Sequence, residues 1–572
     1  MTLHAVTLGL LVLLGLSCSS KPRSVGSGAL ATAAWIGEGR RLAQRAATPG
    51  TALTVEVPPT ATRALIHVTA LTDSGWPWPT AAEGRVLAEQ AEGELVELAS
   101  ASLTPAKRES AGWHAFDVEV PAGTRSLRLE ADAGDALEIW WSDPHWETAA
   151  KDPRRNVLLV SLDTLRADAV SHLGQVIEST PHLDALADEG TTWTRAQAPS
   201  SWTLPSHASA LTGVLPSWHG RSSGASLGAP TRPTLATRLR EAGYETVAFT
   251  GEGFISWSYG PTRGFDLVVE HSHTKARRWH RPNPSVECWR SAHAVSRWLK
   301  QRHDRSARSP FFMFWHSYEP HDPYTDQRFL GSTAALPDGV PEAVRDEWLH
   351  YIGDIAAVDE AFGAILSTLE ELGLRETTDI LVFSDHGEEF GEHSGGVVGK
   401  GHRHGHGSWQ TLLHVPLVAD IASVAPGRRD ELVTLLDIFP TVLAIAGLDD
   451  PGGQGRQLQV PGGHERVYSE AINAQFKPHE EKTVLASSGL KYRARLSSPP
   501  ERGLWDWSSD PLERTDLANA RPEDLERLEK ELATLFGSAP PETAVKAAVG
   551  TTLPKGLPPA VAESLKSLGY TD

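Results

Sequence analysis

Four unbroken apolar runs constrain this chain more than any other feature: Val157-Leu-Leu-Val-Ser161, Thr246-Val-Ala-Phe-Thr250, Phe311-Phe-Met-Phe-Trp315 and Ile380-Leu-Val-Phe-Ser384. A strand with one wet face alternates apolar and polar residues, whereas a strand covered on both faces of a parallel sheet has no polar side to show. Helical stretches with readable ends lie between the runs. Thr180 ahead of Pro181 gives an N-cap followed by proline in the first turn, and Glu189-Gly190 closes that helix. A second, long amphipathic helix runs from Ile352 to Leu372 and stops near Gly373. Strands alternating with helices imply an α/β fold with a doubly wound, mostly parallel sheet.

Before Lys151 the pattern differs. Leu53/Val55/Val57, Phe116/Val118/Val120, Leu127/Leu129 and Leu137/Ile139 alternate with period two between Pro, Gly and Asp turns. That is the signature of antiparallel strands burying one face, so a small all-β sandwich is expected over 51–150, in a packing or spacer role. Residues 21–50, rich in Ala, Gly, Ser and Arg without a clean period, read as a tether. The α/β region follows over 154–540, with a C-terminal subdomain over 430–540 and a tail over 541–572.

The formal charge of −19 over 572 residues excludes a general nucleic-acid binder, which needs clustered Lys and Arg. Two cysteines, Cys18 and Cys288, exclude a disulfide framework. Residues 1–20 contain an apolar run from Ala5 to Leu16, the length of a signal-peptide core and too short to span a bilayer comfortably. It meets Leu16-Ser17-Cys18-Ser19-Ser20, which resembles a bacterial lipoprotein signal. Export to the periplasm, or anchoring at the outer membrane through a lipidated Cys18, is the expectation, with a simple signal peptide or an uncleaved anchor as the other readings.

Ligands of open α/β sheets bind beyond the carboxyl ends of the strands. There this sequence places Asp163, then His316 and His321, then Asp385-His386. A lone carboxylate at such a place is commonly a helix cap, but an adjacent carboxylate and imidazole form a metal-ligand pair. Thr203 stands in Trp202-Thr-Leu-Pro-Ser-His207, next to a helix start where free N–H groups and the helix dipole favour anions. A plain Ser/Thr N-cap is the competing reading.

The stretch from Asn156 through Asp163-Thr-Leu-Arg166, then Thr180 to Gly190, Thr203-Leu-Pro-Ser-His207, Glu319-Pro-His321-Asp-Pro-Tyr324, Ser384-Asp385-His386-Gly-Glu388, Gly405-His406-Gly, His414-Val-Pro-Leu417 and the closing Gly503 to Leu517 resembles the sulfatase family of the alkaline phosphatase superfamily, in order, over about 155 to 535. The resemblance implies Asp163, Asp385 and His386 as metal ligands and Thr203 as both ligand and nucleophile. It implies His207 as the residue that orients the nucleophile in the place of the family's Arg. It further implies that His321 and His406 contact the anionic group or leaving oxygen, with Lys400 and Arg403 as added substrate-binding cations in the loop 395–407.

Two departures matter. Sulfatases convert a Cys or Ser to formylglycine, which Thr203 cannot supply. They also tend to carry Asp where this chain has Thr164, and Asn where it has His386. Trading a hard oxygen ligand for imidazole moves the expected single divalent ion from Ca²⁺ toward Zn²⁺ or Mn²⁺. The segment Ser317 to His321 lacks the acid four residues before His321 that two-metal relatives supply. The resemblance and its departures together imply a hydrolase of a sulfate or phosphate ester on a small molecule, glycan or lipid, with a metal-activated alcohol and a covalent intermediate. A non-catalytic exported lipoprotein that binds an anionic glycan, and a phospho-group transferase, are the alternatives.

Overall fold

The computed structural model describes residues 52–537 apart from 73–81, 106–112, 133–136, 222–229, 272–285, 394–402, 474–478 and 497–500, together with segments 23–24, 33–36 and 39–46. Cys18, Lys400 and the tail 541–572 lie outside the described residues.

The four apolar runs become the strands Asn156–Leu162, Glu245–Gly251, Phe311–Ser317 and Thr378–Phe383, every residue of which is buried. Asn156–Leu162 lies at the centre, parallel to Phe311–Ser317 on one side and Thr378–Phe383 on the other. Glu245–Gly251 and Leu267–His271 extend the parallel set, while Leu417–Asp420 joins it antiparallel. The alternation explains the runs. Val157 and Leu159 enter one core with Leu211, Phe314 and Phe439, and Leu158, Val160 and Leu162 enter another with Met313, Trp315, Ile355 and Val358. Each such side chain, fully buried, contributes on the order of 2 kcal/mol.

The long helix spans Arg345–Glu371, seven residues earlier than its apolar period suggests. Asp346 and Glu347 in its first turn complement the helix dipole, and Trp348 and Tyr351 are buried. Its buried face covers the second core.

An all-β region precedes this domain. The strands Ala52–Glu56, Thr124–Asp132, Ala82–Gln90 and Leu95–Leu103 form one antiparallel array, and Arg63–Thr72, His114–Glu119 and Leu137–Ser142 another. Ile66, Val68, Val86, Leu127, Leu129 and Trp141 fill the core between them. Within 21–50, expected to be a tether, the strand Gly39–Ala46 pairs antiparallel with Leu137–Ser142 and, through Arg40 and Arg41, with Leu267–His271. It carries the sheet from the β region into the α/β domain. Backbone groups at two open sheet edges recruit it, and such pairing requires no side-chain period. At the other end, four antiparallel strands between Arg466 and Asp506 pack under the helix Pro522–Gly537 through Leu525, Leu528 and Leu532.

Candidate active site

Three strand ends and one helix start converge. Asp163 follows Leu162, His316 is the penultimate residue of its strand, and Asp385-His386 follow Phe383 by one residue. Thr203 is the first residue of the helix Thr203–Thr212, and the N-cap is Trp202 in extended conformation. Thr203 therefore does not cap the helix. Its Oγ1 donates to Asp163 Oδ2 at 3.3 Å and stands 3.4 Å from His386 Nε2. Pro205 costs nothing so early in a helix, where its missing N–H has no partner to lose. Thr203, His207, Asp163, Asp385 and His386 are all fully buried.

Ligand atoms of Asp163, Asp385 and His386 lie within 4.8 Å of one another. Asp385 Oδ2 is 3.3 Å and Asp163 Oδ1 3.9 Å from His386 Nε2. Groups bound about 2.1 Å from one ion stand roughly 3 to 4 Å apart, so the spacing fits a coordination shell. Two further observations support the fit. Asp163 Oδ1 and Asp385 Oδ2 are buried without a hydrogen bond, a condition that costs on the order of 1–3 kcal/mol per group unless a cation or water completes it. His386 Nδ1 is 2.8 Å from the Gly387 carbonyl, which can only accept, so the lone pair of the neutral ring rests on Nε2, facing the acids. That is the orientation that backbone carbonyls give to ligating histidines.

The electrostatics agree. Burial pushes Asp163 up to about 6 against the pull of His207, His404 and the Thr203 hydroxyl. Asp385 is driven well above the carboxylate range by burial and then by the charge of Asp163. Burial holds His386 neutral, helped by His404. The two carboxylates disfavour one another's ionised forms, and burial keeps all three groups from holding charge, until a cation is added.

The backbone beside these ligands is itself constrained. Thr164 has φ of +60°, strained for a β-branched residue. Its N–H donates to Asp385 Oδ1 (3.3 Å), its hydroxyl to the Pro320 carbonyl (2.9 Å), and its own carbonyl accepts from the Tyr351 hydroxyl (2.8 Å). Gly387 admits no side chain, because a Cβ there would lie 2.0 Å from the Thr411 carbonyl oxygen.

Other expected residues fall at varied distances from this centre. His207 lies one helical turn past Thr203; its Nδ1 is 2.9 Å from the Thr203 carbonyl and its Nε2 2.8 Å from Ser161 Oγ. Burial and then His316 push it down to about 3, so it is neutral and does not replace a guanidinium's charge. His321 is buried, with Nδ1 2.6 Å from the Asp322 carbonyl. His406 bonds Glu389 at 2.5 Å instead of the acid cluster. Arg403 is engaged by Glu347, by Asp322 at 3.7 Å and by the faces of Tyr324 and Phe390, so it braces its loop.

Sequence reasoning gave no role to two residues at the centre. His404 places its ring 4.6 Å from that of His386 and 4.9 Å from that of His321, and its Nδ1 is 2.7 Å from Glu388 Oε1. His316 holds Nε2 3.3 Å from Asp163 Oδ2. The pattern His404-Gly-His406 offers two imidazoles two residues apart and no local period to choose between them. His316 had a signal, its place at a strand's carboxyl end.

A mostly parallel α/β sheet that gathers two acids, imidazoles and an alcohol beyond its strand ends is the architecture of the alkaline-phosphatase-like hydrolases. The chain belongs to the sulfatase family, whose sequence profile matches residues 155–448, slightly more than half of it. It is 26% identical over 332 residues to the ulvan-active sulfatase of Formosa agariphila, covering 53% of this chain and 64% of that protein, so it spans just under two thirds of that relative's length. It is 23% identical to human iduronate 2-sulfatase, over 63% of this chain and 82% of that protein. The phosphonate monoester hydrolase of Agrobacterium radiobacter has a similar fold, with a TM-score of 0.55 at 21% identity, covering 67% of this chain and 96% of that one. So does a protein solved with its substrate D-glucosamine-2-N,6-O-disulfate, with a TM-score of 0.55 at 18% identity, over 67% of this chain and 98% of that one.

Proposed function

We propose that this protein is a metal-dependent hydrolase of a sulfate or phosphate ester in which Thr203 Oγ1 is the attacking atom. The observation that carries the reading is the burial of that one hydroxyl 3.3 Å from Asp163 and 3.4 Å from His386, at the edge of a shell with two unsatisfied carboxylate oxygens. A divalent ion held by Asp163, Asp385 and His386 would lower the hydroxyl's pKa and neutralise the ester's oxygens, with Zn²⁺ or Mn²⁺ favoured over Ca²⁺ by the imidazole. Asp163 Oδ2 fixes the direction of the Thr203 O–H. The N-terminal end of the helix Thr203–Thr212 turns the positive end of its dipole toward the Thr203 side of the site, which favours an anion there. Thr203 Oγ1, which would lose its proton to solvent once the ion is bound, bonds to phosphorus or sulfur as the bond to the leaving oxygen breaks, and His404, held through Nδ1 by Glu388 and next to His321, protonates that oxygen. Water then gives a proton to the same imidazole, attacks the phosphorus or sulfur and releases the Thr203 oxygen. A threonine alkoxide leaves a stable ester with no self-collapsing hemiacetal, which favours phosphorus over sulfur. The names of the relatives support an anionic glycan ester, and that of the phosphonate monoester hydrolase supports phosphorus.

The test is turnover of an aryl sulfate, an aryl phosphate monoester and a phosphate diester. At least one is expected to turn over, to stop on chelation and to recover when Zn²⁺ or Mn²⁺ is restored. Thr203→Ala is expected to lose at least about 10³-fold in kcat, as removal of a nucleophile does. A phosphoryl adduct on Thr203 should appear by mass spectrometry after rapid quench. If all three esters are inert to the metal-loaded protein, the same pocket is a binding site only.

Export and lipidation at Cys18 belong to the same proposal. Cys18→Ala is expected to move the protein from the membrane fraction to the soluble fraction, and an unchanged distribution would refute the anchor.

A further inference from the structure

We propose that the protein carries a second ligand site, for a small organic ammonium compound with an apolar body, in a cavity beside the loops that hold the catalytic acids. The inference goes beyond the hydrolase reading and does not rest on it. The cavity has a volume of about 400 Å³, within the range of small-molecule sites, and its lining includes none of Asp163, Thr203, Asp385 and His386. One wall is the helical turn Gln410–Leu413 with His414. Leu412 O accepts from Gly387 N at 2.8 Å and His414 O from Ala167 N at 3.3 Å, so this wall is fixed to both acid-bearing loops before any ligand arrives.

The polar lining consists mainly of acceptors. Thr411 is 7% exposed, and its Oγ1 is buried without a hydrogen bond, a condition that a ligand's donor would relieve. His414, three residues further, donates Nε2–H to the Thr194 carbonyl at 2.8 Å. Burial lowers it below its ordinary value, against the Thr194 carbonyl and Asp168, so the ring is neutral and its lone pair lies on Nδ1. The Asp168 side chain is 47% exposed. Both its oxygens accept from Arg166, at 2.8 and 2.7 Å, and a carboxylate keeps lone pairs for further donors. An ammonium group brings three N–H donors and no acceptor, which is the complement of such a set. Charge selects the same class. Among the described residues that line the cavity, one cation, Arg166, stands against Asp168 and Asp338, and Arg166 is shared with a further carboxylate, Glu392, at 2.5 Å. Arg514 offsets Asp338 at 3.4 Å, but both side chains are exposed and water screens the pair. An anion therefore finds no uncommitted cation in the lining. Leu173, Val176, Leu336 and Leu512 supply apolar surface for the rest of the molecule.

The experiment is isothermal titration calorimetry of the full-length, metal-loaded protein with phenethylamine, phenethyl alcohol and phenylacetate, which share an apolar body and differ in charge. The amine is expected to bind about 10-fold tighter than the alcohol, the difference that one charge-assisted bond supplies, and phenylacetate not detectably. Asp168→Asn should bring the amine down to the alcohol's affinity, and Thr411→Val should weaken both. Ala335→Trp, which fills the cavity from its lining, should abolish both. Each variant is checked for native circular dichroism. A crystal soaked with the amine needs no variant and should show it against Thr411 and Asp168. No binding of the amine, equal affinity for amine and alcohol, tighter binding of phenylacetate, or unchanged amine binding in Ala335→Trp overturns the site. Amine binding that is lost in Asp385→Asn would place the amine at the catalytic cation site and overturn it equally. Inertness toward all three test esters counts against the hydrolase reading alone, because this titration measures no turnover.

Discussion

Thr164, one residue past Asp163, shows how the site is held at the scale of single residues. A β-branched residue at φ of +60° is kept there by three hydrogen bonds, to Asp385, Pro320 and Tyr351. Thr164→Val keeps the shape and the strain but leaves the buried Pro320 carbonyl without its hydroxyl donor, so a loss of about 1–3 kcal/mol is expected in urea unfolding. Tyr351→Phe is expected to cost about as much. Its hydroxyl both donates to Thr164 O and accepts from Arg166 N, at 2.8 and 2.9 Å, which ties the long helix to the loop that carries Asp163. An unchanged urea midpoint in both variants would remove this account of the loop. Nothing in the string Asp163-Thr164 announces the strained backbone, because the contacts that impose it come from residues about 150 to 220 positions away.

At the scale of elements, the loop after residue 402 is docked through titratable pairs. Glu389 receives His393 Nδ1 at 2.6 Å and His406 Nε2 at 2.5 Å. His393 also stacks on Trp409, with centroids 4.0 Å apart, and the Arg493 guanidinium lies 3.6 Å from the centroid of the same ring. Burial alone would raise Glu389, yet the bonds from the two histidines hold it at about 2, below its ordinary 4.5. His406 is lowered by burial but raised on balance above 6.5 by Glu389, with Glu481 adding to it. The glutamate's contribution is present above pH 4.5 and is lost as pH falls through about 2. That of His406 is complete below pH 6.5 and is lost as pH rises through its raised folded value. Hydrogen exchange over 403–409, corrected for intrinsic rates, should therefore show greatest protection between pH 4.5 and 6.5 and a loss as pH rises through the raised value of His406 that the helix Arg345–Glu371 does not share. Equal loss in both segments would show that the pair does not hold the loop.

Across the whole molecule, the C-terminal sheet docks on the catalytic domain through charges taken out of water. Lys491 is fully buried, bonds Glu513 at 2.5 Å and reaches the Ser408 carbonyl, while Glu513 also accepts from Gln410 N at 3.1 Å. Burial pushes the Lys491 ammonium below its ordinary value, and Glu513 opposes that shift. Removing one partner strands the other, so Lys491→Met is expected to cost about 3–5 kcal/mol in denaturant unfolding. Lys491→Met with Glu513→Gln should recover part of that loss; a double variant no more stable than the single one would show that the pair is not the coupling. The strand Gly39–Ala46 joins the all-β region to the catalytic sheet at the opposite edge, so both flanking regions are fastened to the α/β domain.

The parallel sheet was legible in the sequence because strands buried on both faces leave only apolar residues to write them with, and the sandwich because one buried face writes an alternation. The convergence of Asp163, Asp385-His386 and Thr203 was legible because each stands at a strand end or a helix start, a local signal sharpened by the family resemblance. Tertiary structure alone assigned His404 rather than His406 to the neighbourhood of His386, engaged Arg403 with carboxylates, turned part of an apparent tether into a sheet strand, and set the rings of His207 and His316 side by side. In each case the outcome depends on which distant surfaces meet. A pattern read within a few residues records burial and turn chemistry, whereas partners hundreds of positions apart are chosen only when the chain packs.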